Sequence, residues 1–281
     1  MKIRTALLTV AMTLGAAWVW GQNALWKSWE AQGDTLYRAE RYAEAEPFYS
    51  RIINDAVKSK SEMPYAVLYK RGVCYFSTEQ FEKAEKDLNV VVTAAPANFQ
   101  GRILRGLIRQ ALGDEEGQWE DVNAAIDLQG QNPNLLRWRG SLSLRQGNYE
   151  SAKRDLLIVR QFAEDPEVEV NLAVAYFNTG APDSAFWAID RGIEINATVM
   201  SLYLYGASFA LQEERFEKAW EYLQLGQRLD ADNATLLFYQ GAALLELKRE
   251  TEACRCLAKA FAAGVDDAAG YLTQHCWSFE E

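Results

Sequence analysis

Histidine is almost missing from this sequence, proline and cysteine are scarce, and no uncharged apolar stretch is long enough to cross a bilayer. The one histidine, His275, leaves a histidine-based triad a single possible anchor, close to the C-terminus. Six prolines in 281 residues, with 49% of residues hydrophobic and 24% charged, exclude a disordered chain and leave ample material for a core. Lys and Arg number 29 against 39 Asp and Glu. No basic face is available to neutralise phosphates, so nucleic acid is excluded as a partner. No Gly-Lys-Ser or Gly-Lys-Thr occurs, which removes the phosphate-binding loop. With these elements missing, neither a catalytic residue nor a cofactor nor a metal is expected.

Four cysteines remain to be placed. On a helix, residues two apart point about 200° from each other, so Cys254 and Cys256 cannot both face one metal. In an oxidising compartment Cys276 could pair with either of them, and spacing does not choose between the two. Cys74 reads as a buried, unpaired small hydrophobe. The acidic pairs Glu115-Glu116 and Asp266-Asp267 read as solvated charge on turns and outer helix faces, not as a carboxylate pair across a pocket.

The N-terminus looks like an export signal. Lys2 and Arg4 make it positive, Ala6 to Trp20 is an uncharged stretch of 15 residues, and cleavage is expected after Gly21. That stretch falls short of the roughly 20 residues of a membrane-spanning helix. An uncleaved anchor is the alternative. Removal of residues 1–21 leaves 27 of the 29 basic residues against 39 acidic ones, a net charge of about −12. The expected location is periplasmic or at the cell surface, with no integral membrane span after cleavage.

The strongest pattern is internal repetition. Small residues recur at Gly33, Gly72, Gly106, Gly140, Ala173, Gly206 and Gly241, at spacings of 39, 34, 34, 33, 33 and 35. A second small residue follows each by 12 or 13 positions, at Ala45, Ala84, Ala152, Ala185, Ala219 and Ala253, with Gln118 breaking the series in the third repeat. Beyond each of these sites lie Tyr49, Leu88, Val122, Leu156, Ile189, Leu223 and Leu257, and then an apolar or small residue from Ile52 to Ala260. Spacings of i, i+4 and i+7 mark one face of a helix. Turn-forming stretches such as Gln146-Gly147-Asn148 separate the two series, so each repeat is a helical hairpin.

Trp29, Gly33, Tyr42 and Ala45, followed by Gly72, Tyr75, Phe81, Ala84 and Pro96, resemble the signature of the tetratricopeptide repeat family. The resemblance implies an all-α, right-handed α-solenoid of helix-turn-helix repeats. They would run over 26–59, 65–98, 99–132, 133–165, 166–198, 199–233 and 234–263, within residues 22–263. Residues 264–281 would form a capping helix and tail, with Ala268, Tyr271, Leu272 and Cys276 on one stripe. Repeat three departs from the pattern at Gln118 and repeat five at Ala173 and Pro182. Repeat six has an extra turn residue near Glu213, and five extra residues around 58–63 separate repeats one and two.

The resemblance also implies where a ligand would lie. The second, fifth, ninth and twelfth residues of each repeat would line a concave groove. Lys27, Glu30, Asp34, Tyr37, Tyr69, Val73, Phe76, Arg137, Phe177, Tyr203 and Phe238 are the candidates. They lack the regular lysine and asparagine pairs that some family members use to hold a terminal carboxylate. Tyr and Phe bury much area at little rotamer cost, which suits a protein or peptide segment. The expectation is a non-catalytic binding scaffold. The competing expectations are a subunit permanently docked in an envelope assembly or secretion complex, and an enzyme with an unrecognised carboxylate site.

Overall fold

Every hairpin in this chain is built on one contact between its two helices, repeated at a fixed interval. The computed structural model describes residues 24–276, so the expected leader, 1–21, and the last five residues of the tail lie outside the described residues. The helices are α1 (24–38), α2 (Tyr42–Ser59), α3 (Tyr65–Ser77), α4 (Phe81–Ala94), α5 (Phe99–Leu112), α6 (Glu115–Gln129), α7 (Pro133–Arg145), α8 (Tyr149–Val159), α9 (Pro166–Asn178), α10 (Pro182–Ile195), α11 (Met200–Gln212), α12 (Phe216–Gln227), α13 (Ala234–Glu246), α14 (Glu250–Ala262) and α15 (Ala268–His275). The chain forms two compact units, Met1–Gly130 and Gln131–Glu281. Within each, every hairpin packs on the next, and first helices also touch first helices: α3 on α5, α7 on α9, α9 on α11 and α11 on α13. This is α-solenoid packing.

The repeated contact joins a small residue of the first helix to a large one of the second, sixteen positions on. Gly33 faces Tyr49, Gly72 faces Leu88, Gly140 faces Leu156 and Gly241 faces Leu257. A Cβ added to Gly241 would lie 2.5 Å from Leu257 Cγ and 3.3 Å from the Ala253 carbonyl oxygen. The helices can therefore be this close only because the first contributes no side chain there. All seven large residues of the series are completely buried.

The hairpin turns explain the constant interval. At Glu40, Glu79, Gly113, Gly147, Gly180, Glu214 and Lys248 the backbone is left-handed. The next N–H then reaches back five residues, as from Gln80 to the Tyr75 carbonyl and from Asn148 to that of Ser143. This Schellman closure keeps the turn to two or three residues whichever residue occupies the left-handed position. Several first helices also begin on an Asn or Asp cap. Asn98 accepts from Gly101 N at 2.9 Å and Asn233 from Leu236 N at 3.0 Å.

The structure corrects the reading of repeat six. Helix α12 starts sixteen residues after α11, the same offset as α3 to α4 or α13 to α14, so there is no extra turn residue near Glu213. The small residue in register is Ala207, fully buried and sixteen before Leu223. Gly206 lies one position earlier and makes room for Tyr222 and Ile189 instead. The extra residues before repeat two lengthen α2 to 18 residues, and Lys60, left-handed at φ 53°, ends it.

Repeat three also has a physical explanation. Arg109 Nη1 donates to the Gly117 carbonyl oxygen at 2.8 Å and to Asp121 Oδ2 at 2.9 Å. A Cβ on Gly117 would sit 2.8 Å from the Arg109 guanidinium carbon. The small residue has thus moved one position, from 118 to 117, to admit the arginine. Gln118 is satisfied in the core by donating to Gln110 Oε1 at 3.1 Å.

Beside the small-to-large contact runs a second one, at the preceding positions, which the sequence reading missed. In three consecutive repeats it is a two-pronged ion pair: Arg71 with Asp87, Arg105 with Asp121 and Arg139 with Asp155, each with both hydrogen bonds at 2.7–2.8 Å. The carboxylates are 6%, 0% and 5% exposed. In repeat five the same two positions hold Leu172 and Ala188, both completely buried.

Two stability outcomes follow, both read by urea unfolding of the full chain. Gly241→Ala should cost about 2 kcal/mol, because the added methyl group is opposed by a buried Leu branch point and a backbone oxygen. Arg139→Leu alone should cost about 3 kcal/mol by leaving the Asp155 carboxylate buried and unpaired, and adding Asp155→Ala should restore most of that loss. If the double variant is no more stable than the single, the ion pair is not interchangeable with the apolar pair of repeat five.

Candidate functional site

The first helix of each hairpin turns one face to its second helix and the opposite face, the inner one, away from it. In the first unit, Tyr37, Tyr69, Val73 and Phe76 are half-buried and pack against the core around Leu68, Cys74 and Leu88. Tyr37 meets Tyr42 edge-on at 5.5 Å, and Phe76 meets Phe81 at 5.9 Å. Burial pushes the Tyr37 hydroxyl up to about 12 and raises that of Tyr69, so both rings stay neutral. These side chains contribute area rather than charge.

The polar edge of this unit is internally neutralised. Lys70 Nζ donates to Glu30 Oε1 and Asp34 Oδ1, both at 2.8 Å, and the Tyr49 hydroxyl donates to Asp34 Oδ1 at 2.8 Å. Burial pushes the Asp34 carboxyl up, but the bonds from Lys70 and Tyr49 outweigh it and hold the group below its ordinary value. Lys27 lies on the exposed side of α1.

In the second unit the candidates separate. Arg137 pairs with Asp165, the cap residue of α9, and so ties α7 to the next hairpin. Phe177 stacks on Phe209 of α11, with centroids 4.2 Å apart and planes 8° apart, and Tyr205 continues the aromatic row at 5.8 Å from Phe209. Tyr203 belongs to the core, which corrects its assignment to the groove. It is 3% exposed, and its hydroxyl donates to the Ala197 carbonyl oxygen at 2.8 Å. The one-residue slip in repeat six rotates the assignment by about 100° on the helix. In register, the fifth position of α11 is Leu204.

Phe238 lines a depression on this face, about 430 Å³ in volume, between α11, α13 and α15. Leu211, Phe216, Tyr239 and Tyr271 also line it, with Glu214 and Glu246. Tyr271 meets Phe238 edge-on at 5.5 Å. The sequence reading placed Tyr271 on the buried stripe of the cap. In the structure Ala268 is the cap's fully buried residue and Leu272 packs on the last core, while Tyr271 is 38% exposed.

The cap is cross-linked to the last hairpin. Cys254 and Cys276 form a disulfide across 22 residues, with Cα atoms 5.8 Å apart. Cys256 is free and faces Gln240 instead. Burial raises its thiol, and burial pushes that of Cys74 up to about 12, so neither is poised as a nucleophile at neutral pH. Among the described residues no group of three His, Cys, Asp or Glu side chains could hold a metal ion. Among those residues, too, no helix is long and apolar enough to cross a membrane.

Comparison with known proteins agrees with this geometry. Residues 30–99 match the family model described as "Tetratricopeptide repeat". The human protein named "Tetratricopeptide repeat protein 6" is 24% identical over 175 residues, covering 62% of this chain and 34% of that protein. The chain thus spans about a third of that relative's length. Among solved structures, the C-terminal part of a TPR repeat-containing protein from Cytophaga hutchinsonii superposes with a TM-score of 0.66 at 19% identity, covering 86% of this chain and 99% of that one. A tetratricopeptide repeat protein from Parabacteroides merdae gives 0.61 at 16% identity, covering 90% and 99%. The fold is that of tetratricopeptide-repeat proteins.

The staple makes the cap's order depend on oxidation. Closing a loop of this length stabilises by about 3 kcal/mol in the chain-entropy estimate. Hydrogen exchange after reduction by dithiothreitol should show the amides of residues 268–275 losing protection well before those of α13. Unchanged protection of the cap would mean that its packing alone holds it.

Proposed function

We propose that this tetratricopeptide-repeat chain is a non-catalytic scaffold that binds a protein or peptide segment along the inner faces of its first helices, in the cell envelope. The observation that carries the reading is the aromatic row of the second unit. Phe177 and Tyr205, joined through the buried ring of Phe209, and then Phe238, Tyr239 and Tyr271, bring large, partly exposed rings to one face, beside a depression of about 430 Å³. Rigid rings that are half-covered in the free protein lose little freedom when a segment covers the rest. Extended or helical segments are both compatible with such a face.

The envelope location is supported by two independent features. The positive start at Lys2 and Arg4, followed by the uncharged Ala6 to Trp20 stretch, has the form of an export signal. A structural disulfide between Cys254 and Cys276 belongs to an oxidising compartment. On this reading the protein is periplasmic or at the cell surface.

The test is cross-linked co-purification of the tagged protein from periplasmic and cytoplasmic fractions of its native host, beside a variant carrying Tyr69→Ala, Phe177→Ala and Phe238→Ala. A partner captured from the periplasmic fraction by the wild type, and at least tenfold less by a variant with unchanged helicity, is the expected result; loss of two or three half-buried ring contacts is worth about that much. Equal capture by both proteins would remove the inner face from the binding site. Recovery of the protein only from the cytoplasmic fraction would remove the envelope assignment.

A further inference from the structure

The depression between α11, α13 and α15 has a chemistry of its own. Its walls carry the rings of Phe216, Phe238, Tyr239 and Tyr271, and its only charged lining residues are Glu214 and Glu246. No Lys, Arg or His lines it.

We infer that this depression recognises a cationic side chain, a lysine or arginine of the bound segment, held over the aromatic faces and balanced by Glu214 and Glu246. The inference rests on the reading that the inner face binds a peptide segment, and it adds the charge of the residue that occupies this position.

Three observations support it. First, the unit's acids near arginines are already engaged: Asp155 by Arg139, Glu169 by Arg160 and Arg191, Asp165 by Arg137 and Asp183 by Arg215. Glu214 and Glu246 stand apart from these pairs, and both are exposed. Second, this unit repeatedly covers its outer aromatic faces with its own cations. Lys218 sits 4.3 Å from the Phe186 centroid, Arg249 5.0 Å from that of Trp220, and Arg160 and Arg191 both lie over Trp187. None of the four pocket rings has such a cation among the described residues. Third, ring faces and carboxylates attract a cation by the same sign of potential, since the face of an aromatic ring is its negative part. A purely apolar anchor would satisfy the rings and leave two carboxylates beside a dehydrated contact. An acidic anchor would be repelled by both. A cation satisfies both sets of groups.

The pocket is also preassembled. Tyr271 comes from α15, and α15 is held by the Cys254–Cys276 bond and by Leu272 on the last core. The ring that closes the pocket is therefore in place before a ligand arrives.

The experiment is selection of a random twelve-residue peptide library on the immobilised, oxidised full chain, beside the variant Glu214→Gln with Glu246→Gln. Both glutamates are exposed, and circular dichroism with a urea midpoint would establish that the variant is folded. The expected result is that peptides selected by the wild type are enriched in Lys or Arg at one position, and that the enrichment falls about fivefold in the variant. Peptides selected without Lys or Arg enrichment would overturn the cationic specificity while leaving peptide binding intact. Enrichment that persists in the variant would overturn the assignment to this pocket. Failure of the wild type to select any peptide would overturn both this inference and the reading on which it rests.

Discussion

The architecture depends on a steric exchange between two helices: one gives up a side chain so that the other can keep a large one. Gly72 yields to Leu88, Gly140 to Leu156 and Gly241 to Leu257, at an interval that the Schellman turn keeps constant. Because the turn is closed by backbone hydrogen bonds, its sequence is free to vary, and Glu79, Gly113 and Lys248 occupy the same left-handed position. The interhelical contact has no such freedom. A hairpin with a tight waist presents flat outer surfaces, and neighbouring hairpins stack on those surfaces to bury what each leaves exposed. Inner-face positions are therefore set by the waist: once the small residue is located, the residues three before, one after and four after it on the first helix point inward, as Tyr69, Val73 and Phe76 do around Gly72.

The second contact line shows which parts of the repeat are negotiable. Repeats two to four fill it with an arginine and a buried aspartate, repeat five with Leu172 and Ala188, and repeat seven with Gln240 and Cys256. A buried ion pair and an apolar pair of matched shape are close in free energy as long as neither partner is left alone. What differs is directionality. The arginine fork admits one orientation of its carboxylate, so the three pairs fix helix rotation where the apolar pair only fills space. Asp121 takes this furthest. Arg102, Arg105 and Arg109 converge on one fully buried carboxylate, and the small residue of that repeat shifts from 118 to 117 to let the third in.

Much of this was legible in the sequence, and the exceptions share a cause. The series from Gly33 to Gly241 and from Tyr49 to Leu257 specifies the hairpins. The slip in repeat six arose because Gly206 stands beside Ala207 and Tyr222 beside Leu223, so two registers each pair a small residue with a large one. Helix offsets decide between them, and a sequence without its turn geometry does not reveal those offsets. Tyr203 was misplaced for the same reason. The ion pairs did leave a signal, Arg-Gly followed sixteen residues on by Asp and a large apolar residue, in three repeats running. At the candidate site, Phe177 and Phe238 were placed from the repeat pattern. Tyr271 was not, because the rotation of a short terminal helix follows from which cysteine it is bonded to, and spacing left Cys254 and Cys256 equivalent.

That bond has a further structural consequence. Cys254 and Cys256 point to opposite sides of α14, so the choice of partner decides which side of the last hairpin the cap covers. Pairing with Cys254 sets α15 over the last core and brings Tyr271 against Phe238, at the open end of the inner face. Pairing with Cys256 would draw the cap toward Gln240, whose fully buried amide already sits beside that sulfur. Covering an exposed end is something any terminal repeat needs. Here the same eight-residue helix that covers the end also supplies a ring, Tyr271, to the depression beside Phe238, so the end cap and the proposed binding pocket are joined at one disulfide.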